Sequence, residues 1–508
     1  MKARKRDFYF AICILALLFA IIYVIVRTLL LFFAEYGLIE KIFAVCLMLS
    51  EFFILLHSIG YVQNIIRVMR SERKKETEPE KPVPDLTEEP AVAILVAARH
   101  EPKDVLAETF ITLNNIDYKN KNVYFLDDSS DPKYLREAEE LAEEYNLNLF
   151  RRTERHGAKA GVVNDCLKTL KEKYVAVFDA DQQPLPGFLN ALIPILENNK
   201  KLAFVQTPQF YTNIEDSRVA RGSAFQQAVF YEYICEGKSI TDSMFCCGTN
   251  VVFRTKALLE VGGFDESTVT EDFATSIKLH LGGWKSYYYN HTCAFGMGPE
   301  DLASYFKQQF RWATGTVAVF RKLLGKLFTK PFSLSPVQWW EYILSSTYYF
   351  VGIAYFFLMI CPVLYILFRI PSFFAKPEVY FLTYAPYIIF TMGVFHLVLG
   401  SRGYRKRDLL IGQLLGLCSF PVYIKGALSA LVGIKTTFGV TGKTRGKSVP
   451  YIKLWPQLLF IFLFLISIVW GINRFIYERN MAIIVNMFWA LYHMILLCGI
   501  FYFNEEGK

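Results

Sequence analysis

Apolar residues divide this chain into two kinds of segment. Six runs of about twenty residues with little or no charge cover 9–33, 42–66, 343–368, 381–399, 454–472 and 482–503. A helix of about that length crosses the ~30 Å hydrocarbon core while satisfying its own backbone. The pattern therefore predicts six transmembrane helices, two before and four after a long middle segment. The first run is uninterrupted and carries no small-residue cleavage site, so it reads as a retained span and not a leader. In the middle segment the apolar runs shorten. Residues 91–98 (AVAILVAA), 123–126 (VYFL) and 174–178 (YVAVF) have the length of buried strands, and 104–115 and 132–145 have helical periodicity. Strands alternating with amphipathic helices predict an α/β domain whose parallel sheet is covered on both faces.

Composition and charge sharpen this division. Of 508 residues, 53% are hydrophobic and only 20% charged, which is more apolar than ordinary soluble domains. The net charge of +8 is concentrated at 1–6, 67–81, 402–407 and 435–447, beside the apolar runs. The loops at 35–41, 371–378 and 473–480 carry little net positive charge, so the positive-inside rule places both termini and the middle segment in the cytosol. Basic clusters so placed point to the lipid bilayer and not to nucleic acid. Residues 71–90 form a charged, proline-bearing linker. The ten cysteines include no CxxC pair, and adjacent Cys246 and Cys247 cannot chelate zinc together, which implies reduced thiols.

Candidate chemistry collects at the strand ends, where α/β sheets bind ligands. Asp127-Asp128 ends the second strand, and Asp179-Ala180-Asp181 ends the third. Two carboxylates one residue apart can offer oxygens to a hard divalent cation. Such a cation neutralises a departing diphosphate. A solvated loop would show the same three residues, so the triplet is weak alone. Thr270-Glu271-Asp272 opens a helix closed by Gly282-Gly283, with Thr270 as N-cap. The helix dipole favours an ionised Asp272 in the first turn, where it could take a proton from a hydroxyl. Gln308, Arg311 and Trp312 stand at i, i+3 and i+4 of a predicted helix over 301–314, on one face. Arginine forks onto phosphate oxygens, and the indole offers a surface for a sugar ring. An interfacial helix with a snorkelling arginine and an anchoring tryptophan would look the same. Glu51 lies inside the second span, facing either a channel or a partner on another helix.

In series these segments resemble the processive family-2 glycosyltransferases, cellulose synthase and its relatives. The order is Asp127-Asp128, HGAKAGVVN at 156–164, Asp179-Ala180-Asp181, FVQTPQF at 204–210, FCCGTN at 245–250, Thr270-Glu271-Asp272, QQFRW at 308–312 and FGVTGK at 438–443. The resemblance implies a GT-A-like cytosolic domain with a Rossmann-type mixed sheet, inserted in a bundle of about six transmembrane helices with interfacial helices. Its implied boundaries are two spans in 1–70, the linker, a transferase domain with an interfacial helix in 91–330, an interfacial helix and spans three and four in 331–400, an interfacial helix and gating loop in 401–453, and the last two spans in 454–508. Residue by residue, it implies that Ala98, Glu101, Asp128, Lys159, Asp179, Gln308 and Arg311 hold the UDP moiety of the donor. Asp181 would hold Mg2+ or Mn2+ on the diphosphate. Asp272, with Thr270 and Glu271 beside it, would be the catalytic base. Trp312, Cys247 and Gly248 would hold the acceptor sugar, and Phe438, Val440, Thr441 and Lys443 would form a gating loop over the nucleotide.

The implied activity is inverting polymerisation of glucose from UDP-glucose into a β-glucan, cellulose or a mixed β-1,3/1,4 polymer, exported through the protein's own spans at the plasma membrane. The same machinery making β-1,3-glucan, hyaluronan or a chitin-like chain stays open, as does a non-processive transferase acting on a lipid carrier, and accessory subunits have room. Two departures stand out. The family's hydroxyl and aromatic residues after the first strand are replaced in Ala98-Arg99-His100-Glu101, leaving the nucleoside's contacts undefined. The chain also ends a few residues after the last predicted span, so a cyclic-dinucleotide sensor would belong to another chain.

Overall fold

The computed structural model describes residues 3–78, 86, 88–373, 377–434 and 448–505. Among the described residues, six helices are long and apolar enough to cross a membrane, within Lys5–Phe33, Leu38–Thr77, Pro336–Phe368, Glu378–Ser401, Tyr451–Glu478 and Met481–Asn504. The chain is a multi-pass membrane protein. The helices Lys406–Cys418 and Phe420–Leu431, bent by 50° at their junction, qualify as a seventh span only if counted as one broken element.

The second helix departs from expectation by running unbroken over Leu38–Thr77, well past the predicted start of the linker. Its last turns, RVMRSERKKET, consist mostly of good helix formers. Tertiary partners hold them as well: Arg67 pairs with Glu341, and Glu72 accepts from Arg402 at 3.0 Å. Glu341 is buried and also receives Lys238 Nζ at 2.9 Å, so one carboxylate joins the second span, the third span and the domain between them. Of the two alternatives for Glu51, a partner is the one found. Arg27 of the first span donates to it at 2.7 Å and to the Ser372 carbonyl at 3.2 Å.

The domain between the second and third spans is built on strands β1 (Val92–Ala98), β2 (Lys121–Asp127), β3 (Asn148–Phe150), β4 (Tyr174–Asp179), β5 (Gln183–Pro184), β6 (Leu202–Gln206), β7 (Phe210–Tyr211), β8 (Val251–Arg254), β9 (Lys285–Tyr288) and β10 (Ala294–Gly296). Seven of them form the main sheet in the order β3-β2-β1-β4-β8-β6-β9, and β5-β10-β7 form a small second sheet. The sheet is mixed and not wholly parallel: β3, β2, β1 and β4 run parallel, and β8 is antiparallel to both β4 and β6. Strand β1 shows why its apolar run is continuous. Val92, Ile94 and Val96 pack into one core and Ala93 and Leu95 into another on the opposite face.

The helix carrying QQFRW also exceeds its predicted end at 314, running over Leu302–Thr329. Thr314-Gly315 reads as a break in sequence, but packing on both sides keeps the turn helical. A β-carbon on Gly315 would lie 2.5 Å from Thr270 Cγ2, and one on Gly426 would lie 2.6 Å from Ala313 Cβ. The helix thus touches the Thr270 loop on one flank and the Phe420–Leu431 helix on the other.

Candidate active site

An open cleft lies beyond the carboxyl ends of β1, β2 and β4. Register places Ala98 opposite Asp127 and Ala97 opposite Asp179, so the acidic ends of β2 and β4 flank the end of β1. The lining includes Ala98, Glu101, Asp128, Lys159, Asp179, Asp181, Cys247, Gly248, Thr270, Glu271, Asp272, Gln308, Arg311 and Trp312. Widely separated stretches of sequence therefore converge on one surface. Phe438, Val440, Thr441 and Lys443 lie outside the described residues.

Several of these side chains are fixed by partners. Lys159, near the start of the Ala158–Leu167 helix, donates to Asp179 and, at 2.8 Å, to the Gly248 carbonyl. Burial acts to lower the Lys159 pKa, but the carboxylates of Asp179, Glu271 and Asp272 outweigh it and the group is raised. The backbone of Asp179 donates to Thr249 Oγ1 at 2.9 Å, while the Ala180 carbonyl accepts from Thr109 at 2.8 Å. These bonds pin both sides of the Asp179-Ala180-Asp181 turn. Asp127, by contrast, is tied to Arg151 at 2.8 Å and to the Ser129 amide, and Asp128 is gripped by Arg152 and Arg155.

Glu271 and Asp272 occupy the first turn of the Glu271–Leu281 helix. Thr270 stands at the N-cap position but makes no side-chain cap bond, and its hydroxyl is buried without a partner among the described residues. The expected hydroxyl cap is therefore absent. The Thr270 methyl instead packs at the Gly315 surface. Asp272 Oδ1 accepts from the Phe273 amide at 2.8 Å. Burial, followed by the neighbouring Glu271 carboxylate, raises the Asp272 pKa to about 7, with Lys159 and Arg311 opposing. Glu271 is raised too, chiefly by burial. Two adjacent acids near Lys159 and Arg311 form an electrostatically coupled group whose proton affinity suits acid–base work near neutral pH.

Sequence reasoning assigned no role to Gln206 and Gln209, though it noted their motif. Gln206 Nε2 donates to the Thr249 carbonyl at 2.8 Å, while its Oε1 accepts from the Cys247 amide at 2.9 Å. Gln209 donates to the Cys247 carbonyl at 3.2 Å. Together they hold the FCCGTN loop against β6. An amide side chain after a buried strand, repeated three residues later, was the available signal. Gln308 lines the cleft with its buried Oε1 unpartnered among the described residues. Trp312 belongs to the cleft and also packs against a cluster that includes Tyr349 and Tyr423, with Phe53 of the second span alongside. Among the described residues no group of three or more His, Cys, Asp and Glu side chains could hold a metal ion by itself.

A mixed sheet with an acidic cleft at its carboxyl edge, together with a bundle of candidate membrane spans, has the GT-A-like fold. A solved mannosyltransferase from Pyrobaculum calidifontis, in complex with GDP-Man and Mn2+, shares that fold at a TM-score of 0.51 and 18% identity, covering 76% of this chain and 100% of the other. The family model described as glycosyl transferase family group 2 matches residues 174–395. The chain is 27% identical over 482 residues to the cellulose synthase catalytic subunit (UDP-forming) of Pseudomonas fluorescens, covering 90% of this chain and 61% of that protein. It is 24% identical over 487 residues to the cellulose synthase 1 catalytic subunit of Komagataeibacter xylinus, covering 92% and 63%. Over 449 residues it is 27% identical to cellulose synthase 2 of Novacetimonas hansenii, covering 84% and 27%. The chain spans less than two thirds of the length of each of these curated relatives. In these stretches the chain is similar to family-2 glycosyltransferases and to cellulose synthase catalytic subunits.

Proposed function

We propose that this protein is a processive, inverting glycosyltransferase that polymerises glucose from UDP-glucose into a β-glucan and passes the product through its own membrane bundle. The observation that carries the reading is Asp272, whose proton affinity lies near neutrality in a cleft that also holds Asp179, Asp181, Arg311 and Trp312. Its relatives are named UDP-forming cellulose synthases, which supports the donor and the product class.

In this reading the donor lies along the cleft with its diphosphate beside Asp181, Gln308 and Arg311. The carboxylate oxygens of Asp181 and Asp179 are hard donors with no imidazole among the cleft's lining residues, which fits Mg2+ or Mn2+. Too few protein ligands converge to hold the ion alone, so phosphate oxygens must complete its shell. When bound, the ion supplies charge neutralisation for the leaving nucleoside diphosphate. Arg311 adds a guanidinium fork for the same oxygens. Lys159, locked between Asp179 and the Gly248 carbonyl, fixes the DxD turn relative to the acceptor loop.

The acceptor's terminal sugar stacks on Trp312 and lies over Cys247 and Gly248. Asp272 accepts the proton of its hydroxyl as the oxygen attacks the anomeric carbon. Attack from the face opposite the diphosphate converts an α-linked donor into a β-linked product. Trp312 packs in one cluster with Tyr349, Tyr423 and Phe53 of the second span, which supports delivery of the extended chain from the cleft toward the membrane bundle. The transferase domain at 91–330 and both termini lie in the cytosol in this reading, and the spans lie in the plasma membrane.

Purified protein given radiolabelled UDP-glucose, UDP-N-acetylglucosamine or UDP-glucuronate tests the proposal. Incorporation from UDP-glucose into a long product digested by β-glucan hydrolases is the expected result. Label from a non-glucose donor alone would overturn the donor, and products one sugar long would overturn processivity.

A further inference from the structure

The helix that bears Glu271 and Asp272 carries two adjacent hydroxyls one turn later, in the run EDFATS. Thr275 donates to the Glu271 carbonyl, and Ser276 donates to the Asp272 carbonyl at 2.8 Å. A hydroxyl turned back onto the residue four before it gives a helix little stability by itself. Each of these two has a second bond that leaves the helix. Thr275 Oγ1 accepts from the Asp265 amide at 2.8 Å, and Ser276 Oγ accepts from the Cys246 amide at 2.8 Å. Ser276 and Cys246 are both buried, so solvent does not compete for the bond between them.

Three side chains fix successive peptide groups of the FCCGTN loop. Ser276 holds the Cys246 amide, Gln206 holds the Cys247 amide at 2.9 Å, and Lys159 Nζ holds the Gly248 carbonyl at 2.8 Å. The Gly248 amide closes back on Cys246 Sγ at 3.2 Å, so a shift of Cys246 is passed on to Gly248. Gln206 stands on β6 and Lys159 on the Ala158–Leu167 helix; of the three, Ser276 alone belongs to the helix of Asp272. A further tie enters just before the loop. Ser286 Oγ donates its one proton to the Met244 carbonyl at 2.7 Å, so His280 Nε2, 3.0 Å away, carries the hydrogen of the bond they share. His280 Nδ1 then accepts from the Tyr342 hydroxyl, and burial lowers the His280 pKa to about 3, which keeps the ring neutral. Met244 thus stays tied to the far end of the same helix whatever stands at position 276.

We propose that Ser276 is a positioning residue that keeps the acceptor pocket at Cys247 and Gly248 in register with the Asp272 carboxylate. The inference rests on the glycosyltransferase reading above and adds to it the group that sets the gap between base and acceptor hydroxyl. Ser276 grips the backbone of Asp272 on one side and the Cys246 amide on the other, so the base and the loop move as one body. Proton transfer needs its two heavy atoms within hydrogen-bond reach, and displacing reacting groups by an ångström costs turnover steeply. The diphosphate site is held by other elements: Asp181 follows β4, and Gln308 and Arg311 stand on the Leu302–Thr329 helix. Donor binding is therefore independent of Ser276.

Steady-state synthesis from UDP-glucose and equilibrium binding of UDP, both with Mg2+, test this on the purified protein for the natural sequence, Ser276→Ala, Ser276→Cys and Ser276→Thr. Alanine removes the hydroxyl, and cysteine replaces it with a weak donor and acceptor of similar size, which serves if the alanine variant does not fold. In either, kcat should fall about tenfold, the scale of one hydrogen bond, with KM for UDP-glucose and UDP affinity unchanged. Ser276→Thr keeps a hydroxyl that can still reach the carbonyl four residues back, and it should retain most of the natural kcat. Unchanged kcat in the alanine or cysteine variant would overturn the inference. So would an equal loss of UDP affinity, which would make Ser276 a general support of the fold, or a threonine variant as slow as the cysteine one. These results leave the transferase reading standing. A natural sequence that incorporates no sugar from UDP-glucose would instead bring down that reading, and this inference with it.

Discussion

Gly248 and Asp272 approach closely: a β-carbon on Gly248 would lie 3.1 Å from Asp272 Oδ2, so the carboxylate would have to give way by a few tenths of an ångström. Gly248 also has φ +83°, a conformation open to glycine and strained for other residues. Gly248→Ala is therefore expected to push the proposed base off line and lower polymer synthesis about 100-fold. UDP affinity, which does not depend on that alignment, should stay the same. Product formation and UDP binding measured on the same preparation check the split.

Asp272→Asn removes a proton acceptor while keeping the size of the side chain. Turnover should fall by about 10²–10⁴ with UDP binding retained. Full activity in this variant would remove Asp272 from the chemistry.

The pH profile follows from the raised pKa of Asp272. A base works deprotonated, so kcat/KM should fall about tenfold per unit below pH ~7 and level off above it. The Glu271 carboxylate contributes to raising that pKa. Glu271→Gln should therefore shift the acid limb to lower pH, and a limb that shifts upward would contradict the coupling.

Metal removal should stop turnover. EDTA is expected to abolish synthesis, with excess Mg2+ or Mn2+ restoring it, because the proposed Asp181 site depends on an ion for charge neutralisation. Asp181→Ala should resist that rescue. Activity that persists after exhaustive chelation would exclude the metal role.

Glu341 offers a test of stability. Glu341→Gln would leave Lys238 and Arg67 facing each other without their shared counter-ion, a loss of about 3–5 kcal/mol for a buried pair. A clear drop in the apparent Tm of the purified protein is expected, and an unchanged Tm would show that water already screens the group.

The parts of the fold visible in the sequence were those with strong local patterns. Strands β1, β2 and β4 showed as apolar runs, the last two ending in acids, and the spans showed by length. Strand β8 has four residues and follows a turn-rich loop, so no period marked it, and its antiparallel placement is a tertiary result. The two-residue strands β5 and β7 carry no period at all. In the cleft, the convergence of Lys159, Asp179, Asp272 and Arg311 could be anticipated from the order of motifs. The grip of Arg152 and Arg155 on Asp128, and of Gln206 on the Cys247 amide, could not. Such bonds join side chains to distant groups and leave no periodic trace. Thr270 misled in the opposite direction, because a threonine before a helix reads as a hydroxyl cap, whereas here its methyl contact with Gly315 takes precedence.

The Leu302–Thr329 helix runs between Thr270 and the Phe420–Leu431 helix with clearances that only hydrogen atoms fit. It has no slack to absorb a shift of the bundle without passing it to the residue beside Asp272. Solubilisation that loosens the spans should therefore silence the enzyme while the sheet is still folded, and turnover becomes a more sensitive gauge of the surrounding lipid than any melting curve.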